Sequence, residues 1–352
     1  MSRFFSVKYK NLVPYTPGEQ PKINNLIKLN TNESPFPPSE KAVKCATDAA
    51  KELQLYSDPT CSQLTLMMAE KLGVEPDEVL MTNGSDEILN FAFMAFCDEK
   101  TPAVFPDITY GFYKVFAQLC GVPYEEIPLD ESFNIKIQDY MGGGKTIFIA
   151  NPNAPTGIYL SLDKIEEIIK NNPDNVVVVD EAYVDFGNQS AVGLIHKYKN
   201  LLVTGTFSKS RSMAGARLGF GVASKEIIQD LNTLKYSTNP YNVNKMTMAA
   251  GIGSLEDEEY TQKNCQTICE NRKYTMYELS KMGFEMTDST ANFIFAKHPE
   301  VSGKEIYTKL REKGILVRHF DGERIKEYNR ITVGTKEQMQ AFLDAVSEIL
   351  EG

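Results

Sequence analysis

Short apolar runs recur along the first two-thirds of this chain, each separated from the next by a longer stretch of mixed apolar and polar residues. The runs are EVLMT (78–82), PAVFP (102–106), VPYEEI (122–127), TIFIA (146–150), VVVVD (176–180), LLVTG (201–205) and GFGVA (219–223). Their length and β-branched content predict strands. VVVVD, with four valines in succession, suits a strand covered on both faces. Between the runs, SDEILNFAFMAF (85–96), TYGFYKVFAQLC (109–120) and SLDKIEEIIKNN (161–172) predict helices. The last of these opens on a capping serine followed by an acidic first turn. Strands alternating with helices predict an α/β fold whose large domain is a mainly parallel, seven-stranded sheet covered by helices.

The texture changes after about residue 250. A polar helical stretch (255–282) leads to ANFIFAKH (291–298), a helix over SGKEIYTKLREKG (302–314), strands in ILVRHF (315–320) and NRITVGT (329–335), and a final helix over 335–350. This predicts a smaller α+β domain. The first ~30 residues are irregular and rich in proline, as in an arm. We expect an N-terminal arm (1–34) that packs with the small domain and a partner subunit, a large domain (35–250) and a small C-terminal domain (251–352). No internal repeat, low-complexity segment or obvious linker interrupts the chain, so these boundaries follow pattern alone.

Composition narrows the function classes. The 352 residues are 42% apolar, ample for two cores, and 47 acids against 37 bases leave a net charge of −10. A general nucleic-acid binder needs a basic stripe to neutralise phosphates, which this balance opposes. Six cysteines are scattered without a CxxC pair, and Cys265 and Cys269 share a helix face without nearby metal-ligating partners. They read as free thiols of a reducing compartment. No apolar run approaches the ~20 residues of a spanning helix, and the N-terminus lacks a long apolar signal core. A soluble, cytoplasmic protein is expected, with no membrane or nucleic-acid partner and no metal.

The chemistry gathers just after the predicted strands, where open α/β sheets bind ligands. NGSDE follows the first strand as a glycine turn entering a helix, whose free N–H groups can hold an anion such as phosphate. NPNAPTG follows the fourth. Asp180 ends the fifth, with Tyr183 three residues on. After the sixth come Thr206, Ser208, Lys209 and, eight residues later, Arg217. Any one of these could be an ordinary cap or surface residue; four such endings in one chain point to a site. GTFSKS superficially resembles a Walker A loop, but that pattern needs glycine directly before the lysine and again five residues earlier. Ser208 and Val203 stand there, which excludes a nucleoside triphosphate site. A lysine with hydroxyls at −3 and −1 and an arginine at +8 can instead form an imine with an aldehyde whose phosphate the hydroxyls and guanidinium grip. An aspartate from the next strand can hold a pyridine nitrogen protonated. Together these describe pyridoxal 5'-phosphate.

With those residues in view, the chain resembles the fold-type I pyridoxal-phosphate aminotransferases, and within them the histidinol-phosphate aminotransferases. The resemblance runs almost end to end: LNTNESP (29–35), YSDP (56–59), NGSDE (83–87), PDITYGFY (106–113), NPNAPTG (151–157), DEAY (180–183), TFSK (206–209) with Arg217, ANFI (291–294), VR (317–318) and RITVGT (330–335). It implies that Lys209 carries the cofactor and shuttles protons, that Asp180 pairs with the pyridine nitrogen, that Tyr183 bonds the ring hydroxyl oxygen and that Tyr110 stacks on the ring. Gly84, Ser85, Asp86, Thr206, Ser208 and Arg217 would hold the phosphate, with Tyr56 reaching it from the neighbouring subunit of a homodimer. Arg330 and Arg318 would take substrate anions, Tyr15 would approach the same group from the partner, and Asn32 and Glu33 would line the loop around the substrate side chain.

One position departs from the resemblance. The residue before PTG, an asparagine in the family, is Ala154 here; Asn153 or Asn151 takes over its contact with the ring hydroxyl, or Tyr183 acts alone. His196, His298 and His319 lie outside every motif and read as packing or surface residues, and Met67-Met68 as core. The implied reaction is ping-pong amino transfer between L-histidinol phosphate and 2-oxoglutarate. Threonine-phosphate decarboxylation and broad aromatic amino-acid transamination use the same scaffold and remain alternatives. A non-catalytic regulator would be expected to carry a basic DNA-binding module, and none is present.

Overall fold

The computed structural model describes residues 2–21 and 26–351. A short strand β1 (Ile27–Lys28) ends the arm and is followed by helices α1 (Glu40–Ala49) and α2 (Ser62–Leu72). Then come β2 (Val79–Thr82), α3 (Ser85–Phe96), β3 (Ala103–Pro106), α4 (Phe112–Cys120), β4 (Tyr124–Ile127), β5 (Thr146–Ala150), α5 (Leu162–Lys170), β6 (Val177–Asp180), β7 (Leu201–Thr206) and β8 (Gly219–Ala223). Helices α6 (Lys225–Thr238), α7 (Lys245–Leu255) and α8 (Glu258–Lys281) lead to β9 (Glu285–Met286), β10 (Phe293–Lys297), α9 (Gly303–Glu312), β11 (Ile315–Leu316), β12 (Arg318–His319), β13 (Asn329–Thr332) and α10 (Lys336–Glu351). No helix among the described residues is long and apolar enough to cross a membrane.

All seven strands expected from the apolar runs form one sheet, in the order β2-β8-β7-β6-β5-β3-β4. β8 runs antiparallel to both its neighbours, and the other pairs are parallel. Alternation along each strand feeds two cores. Ile147, Ile149, Val177 and Val179 face one layer with α2 and α5, while Phe148, Val178 and Leu202 face another with α3, α4 and α6. Val177, Val178 and Val179 have no exposure. Each such side chain contributes about 1.5–3 kcal/mol relative to remaining in water, which is why a run of valines settles in the middle of the sheet. Ser161 takes the cap position of α5, although its side chain makes no capping bond to the helix.

The C-terminal part builds a four-stranded antiparallel sheet, β12-β13-β10-β9, packed on α8, α9 and α10. Here ILVRHF departs from expectation. It is two strands in two sheets: Ile315 and Leu316 pair in parallel with Ile27 and Lys28 of the arm, while Arg318 and His319 pair with β13. The edge left open at Ile315–Leu316 is closed by the arm, which ties residues 27–28 to this part of the chain.

Helix α7 is rich in small residues, and the reason is visible where it crosses α1. A Cβ added at Gly253 would stand 2.6 Å from the Lys41 carbonyl oxygen and 2.9 Å from the Ala42 Cα. Alanine in place of glycine favours a helix by about 1 kcal/mol, but forcing two backbones apart costs about 1–3 kcal/mol. Gly253→Ala is therefore expected to lower the urea unfolding midpoint. A midpoint equal to or above that of the parent would mean that the two helices are free to separate.

Candidate active site

The strand ends of the large sheet converge on a cavity of about 190 Å³, lined by Glu33, Ser85, Asp86, Tyr110, Ala154, Asp180, Tyr183, Thr206, Ser208, Lys209 and Arg217, among others. At one end is a cup. The chain leaves β2 through Gly84, whose φ of 77° suits glycine, and α3 begins at Ser85 with its first N–H groups unpaired within the helix. The cup is tight: a Cβ at Gly84 would lie 2.6 Å from Arg217 Nη2, and one at Gly219 would lie 2.4 Å from the Ser85 backbone nitrogen. Thr206 and Ser208 hydroxyls pair at 3.0 Å, and the Ser208 backbone N–H donates to Thr206 Oγ1. Arg217 donates to Asp86 Oδ2 at 3.1 Å and makes a longer contact to Ser208 Oγ. Asp86 also accepts from the Tyr110 hydroxyl at 2.6 Å, which fixes that ring on the cavity wall. Burial and the Asp86 charge raise the Tyr110 phenol well above its ordinary range, keeping it protonated.

At the other end lies Asp180, 4% exposed at the tip of β6. Its carboxylate accepts from the Tyr113 hydroxyl at 3.0 Å and from Thr204 Oγ1 at 3.2 Å. Burial dominates those bonds and pushes its pKa up to about 6. The neighbouring Glu181 is also raised by burial, to about 8, although the Ala191 N–H and the Ser190 hydroxyl donate to it. Tyr113 and Thr204 were not among the expected site residues. Both carried a signal: Thr204 is two residues before Thr206, on the same face of a strand, and Tyr113 is three after Tyr110, one helical turn on.

Lys209 lies between the two ends. Its Nζ is 5.8 Å from the Tyr183 ring centroid and makes one long contact, 3.4 Å, to the Thr31 carbonyl. The loop that carries it is firmly held. Ser210 bonds Asp185, and the buried Arg211 donates to the Ser254 carbonyl at 2.9 Å and to Glu258 at 2.6 Å. The backbone is thus fixed while the amine has little to hold it.

A larger cavity of about 600 Å³ adjoins this one and shares Thr31, Tyr110, Ala154, Tyr183 and Lys209 with it. Tyr15, Asn32, Arg318 and Arg330 also line it. Arg330 donates to the Asn30 carbonyl at 3.1 Å, and its Nε is buried without a partner. Arg318 makes only weak contacts, at 3.2 and 3.4 Å, to the Thr16 and Pro17 carbonyls. Arg324, which the motifs did not single out, lines the same cavity but is engaged by Asp107 and the Leu129 and Asp130 carbonyls.

Two expectations need correction or relocation, those for Asn153 and Tyr15. Asn153 does not reach either cavity: its oxygen accepts from Thr109, and its nitrogen donates to the Ile108 carbonyl and to Thr156. Asn151 is likewise engaged, by both backbone groups of Leu160. The lining position falls to Ala154, so Tyr183 is the polar side chain on that side. Tyr15 was expected from a partner subunit, yet this chain's own arm folds back and brings Tyr15 to its own cavity, stacked on Phe112 at 4.3 Å. Tyr56 lines neither cavity; it is 81% exposed and stacks on Tyr241. Glu33 reaches the smaller cavity while bound to Lys28 at 2.6 Å and to Thr31. None of the three histidines lines either cavity. Among the described residues no group of three His, Cys, Asp or Glu side chains is placed to hold a metal ion.

The arrangement suits a flat, anionic, nitrogen-containing ligand. A cup that a single added Cβ would fill, with hydroxyls and a guanidinium, takes a phosphate. A desolvated carboxylate at the opposite end takes a ring N–H, and an uncommitted amine stands between them. The residues present therefore fit pyridoxal phosphate.

The chain is similar to known proteins of one family. The family model for aminotransferase class I and II matches residues 24–346. A histidinol-phosphate aminotransferase of Pseudomonas fluorescens is 45% identical over 350 residues, 99% of this chain and 100% of that protein. One from Brachyspira hyodysenteriae is 46% identical over 353 residues, covering 100% of both chains. Among solved structures, the Sinorhizobium meliloti histidinol-phosphate aminotransferase, determined in complex with pyridoxal-5'-phosphate, superposes with a TM-score of 0.84 at 20% identity, over 92% of this chain and 91% of that one.

The raised pKa of Asp180 has a measurable sign. Between its ordinary value of 3.8 and about 6 the folded protein holds a proton that the unfolded chain has released. The contribution of Asp180 to the stability of the ligand-free protein therefore falls as pH rises through that interval. Asp180→Asn carries no such penalty, so urea unfolding should show its stability relative to the parent rising from about pH 4 to about pH 6 and levelling above. A difference independent of pH would mean that the carboxylate is ionised in the fold throughout.

Proposed function

The chain belongs to the class I and II aminotransferases, and we propose that it transfers the amino group of L-histidinol phosphate to 2-oxoglutarate in two half-reactions at one site. Fold alone would not carry this reading. It rests on Lys209 lying between a phosphate cup and the buried Asp180, next to a cavity that holds two incompletely bonded arginines. Relatives named for this activity match the chain end to end.

Pyridoxal phosphate, when bound, supplies an electron sink for negative charge developing at the substrate Cα. The chain's own residues do the rest. The first turn of α3, with Thr206, Ser208 and Arg217, would hold the phosphate and so set the ring's position. Asp180 would keep a proton on the pyridine nitrogen, and its bonds from Tyr113 and Thr204 keep the carboxylate aimed. The Tyr110 ring, pinned by Asp86, would cover one face. Lys209 Nζ would take the proton from Cα of the amino substrate and return it at the second carbon. Arg330 and Arg318 would take the phosphate monoester of one substrate and a carboxylate of the other, since both anions suit a guanidinium. Sharing one cation site between the two half-reactions fits a ping-pong order.

We read the chain as an arm (1–34), a cofactor-binding domain (35–250) and a small domain (251–352), acting in the cytoplasm as a homodimer. Tyr56 supports the dimer, because a phenol 81% exposed on its own chain is free to complete a neighbour's cup. Sedimentation at micromolar concentration should give a dimer, and a purely monomeric species would remove that part of the reading. For the activity, purified protein given L-histidinol phosphate and 2-oxoglutarate should form glutamate. Lys209→Ala should form none and should lack the visible absorbance that borohydride removes from the parent. Release of carbon dioxide from O-phospho-L-threonine, or phenylalanine serving as well as the phosphate substrate, would overturn the assignment.

A further inference from the structure

The sequence places Asn32 on the loop around the substrate side chain, but its amide is turned toward Tyr183. Asn32 is 1% exposed and sits at φ 57°, a left-handed conformation that asparagine tolerates better than most residues. Its backbone N–H donates to Thr332 Oγ1 at 2.9 Å. That hydroxyl in turn donates to Asn32 Oδ1 at 3.1 Å. With Thr332 donating there, the oxygen end of the amide is held on the side of Thr332. The Nδ2 end is left facing Tyr183, and it donates to the phenolic oxygen at 3.0 Å. Asn292 holds the Asn32 carbonyl at 3.1 Å, so the residue is anchored at backbone and side chain alike.

A tyrosine hydroxyl has one proton. Because Asn32 meets Tyr183 as a donor, that proton is not used on Asn32 and is available to the cavity, which Tyr183 lines. On the same side of the cavity Ala154 has no polar group, and Asn151 and Asn153 are engaged within their loop. We infer that Asn32 is a positioning residue: it sets the direction in which the Tyr183 hydroxyl donates, toward the ring oxygen of bound pyridoxal phosphate. The inference rests on the cofactor reading above. A hydrogen bond received by the phenol also polarises it and strengthens the bond it gives. Donation to the ring oxygen favours the form of the cofactor in which that oxygen is negative. Without Asn32 that form is reached only at higher pH.

The experiment is a pH titration of the visible absorbance of the holoenzyme. Asn32→Ala should raise the midpoint by about half a unit to one unit, the size of one neutral hydrogen bond. Thr332→Val, which frees the amide to turn, should move it in the same direction by less, and it carries the test if Asn32→Ala does not fold. In a Tyr183→Phe background Asn32→Ala should add nothing. An unmoved midpoint in the single variants, or the same shift with and without the Tyr183 hydroxyl, overturns the inference. If the wild-type protein binds pyridoxal phosphate without a visible band removable by borohydride, the cofactor reading fails and this inference with it. A normal band with an unmoved midpoint defeats the inference alone.

Discussion

Asp180 ends a strand that touches water on neither face, and a carboxylate in that position is stable only if donors meet it. Its backbone is already in use, because its carbonyl accepts from Asn151 and the next N–H donates to Thr204. The donors to the carboxylate are the Ala182 N–H and two side chains brought in from elsewhere. Thr204 stands opposite Asp180 in the register of β6 and β7. Tyr113 comes from α4, and its ring, with no exposure, is wedged among Phe93, Phe105 and Phe148. One buried charge thus fixes both the register of β7 and the seating of α4. That register in turn places Thr206 at the end of its strand and Ser208 and Lys209 just past it.

The large sheet was legible in the sequence because every strand but the edge strand β4 is buried along nearly its whole length. A strand covered on both faces must be apolar at every position, so VVVVD and TIFIA announce themselves without any help from context. The residues just past those strands were legible for the same reason, as polar groups stopping an apolar run. Short strands defeated the reading where local pattern does not distinguish one partner from another: ILVRHF is six residues with no turn signal inside it, and only tertiary packing decides that its first two residues join the arm and its fourth and fifth join β13. Side-chain direction in loops was equally hidden. NPNAPTG offers two asparagines, and the path of the backbone turns both inward and leaves Ala154 at the cavity. Tyr113 and Thr204 went unnoticed because their task is to hold another residue, which leaves only a weak periodic trace.

The arm is the other element that local pattern could not place. It looks irregular because its contacts are to side chains far along the chain. Glu19 accepts from Tyr307 at 2.7 Å and from Arg311 at 3.1 Å, its carbonyl accepts from Asn30, and Tyr15 stacks on Phe112. Helix α9 thus grips one side of the arm and α4 touches the other, and Tyr15 lines the larger cavity.

Arg318 links that arm to the larger cavity. A guanidinium has five N–H donors, and only two of those of Arg318 meet the carbonyls of Thr16 and Pro17. The others can meet an anion while those contacts persist. Whichever of the two arrives first bears the entropy of ordering a long, mobile side chain, and the second finds it already ordered. The arm then behaves as a tethered ligand in heterotropic cooperativity with the substrate anion, and linkage makes the effect mutual. The same monoester that is bound for reaction would strengthen the hold of residues 16–17 over the cavity, and its departure would relax it.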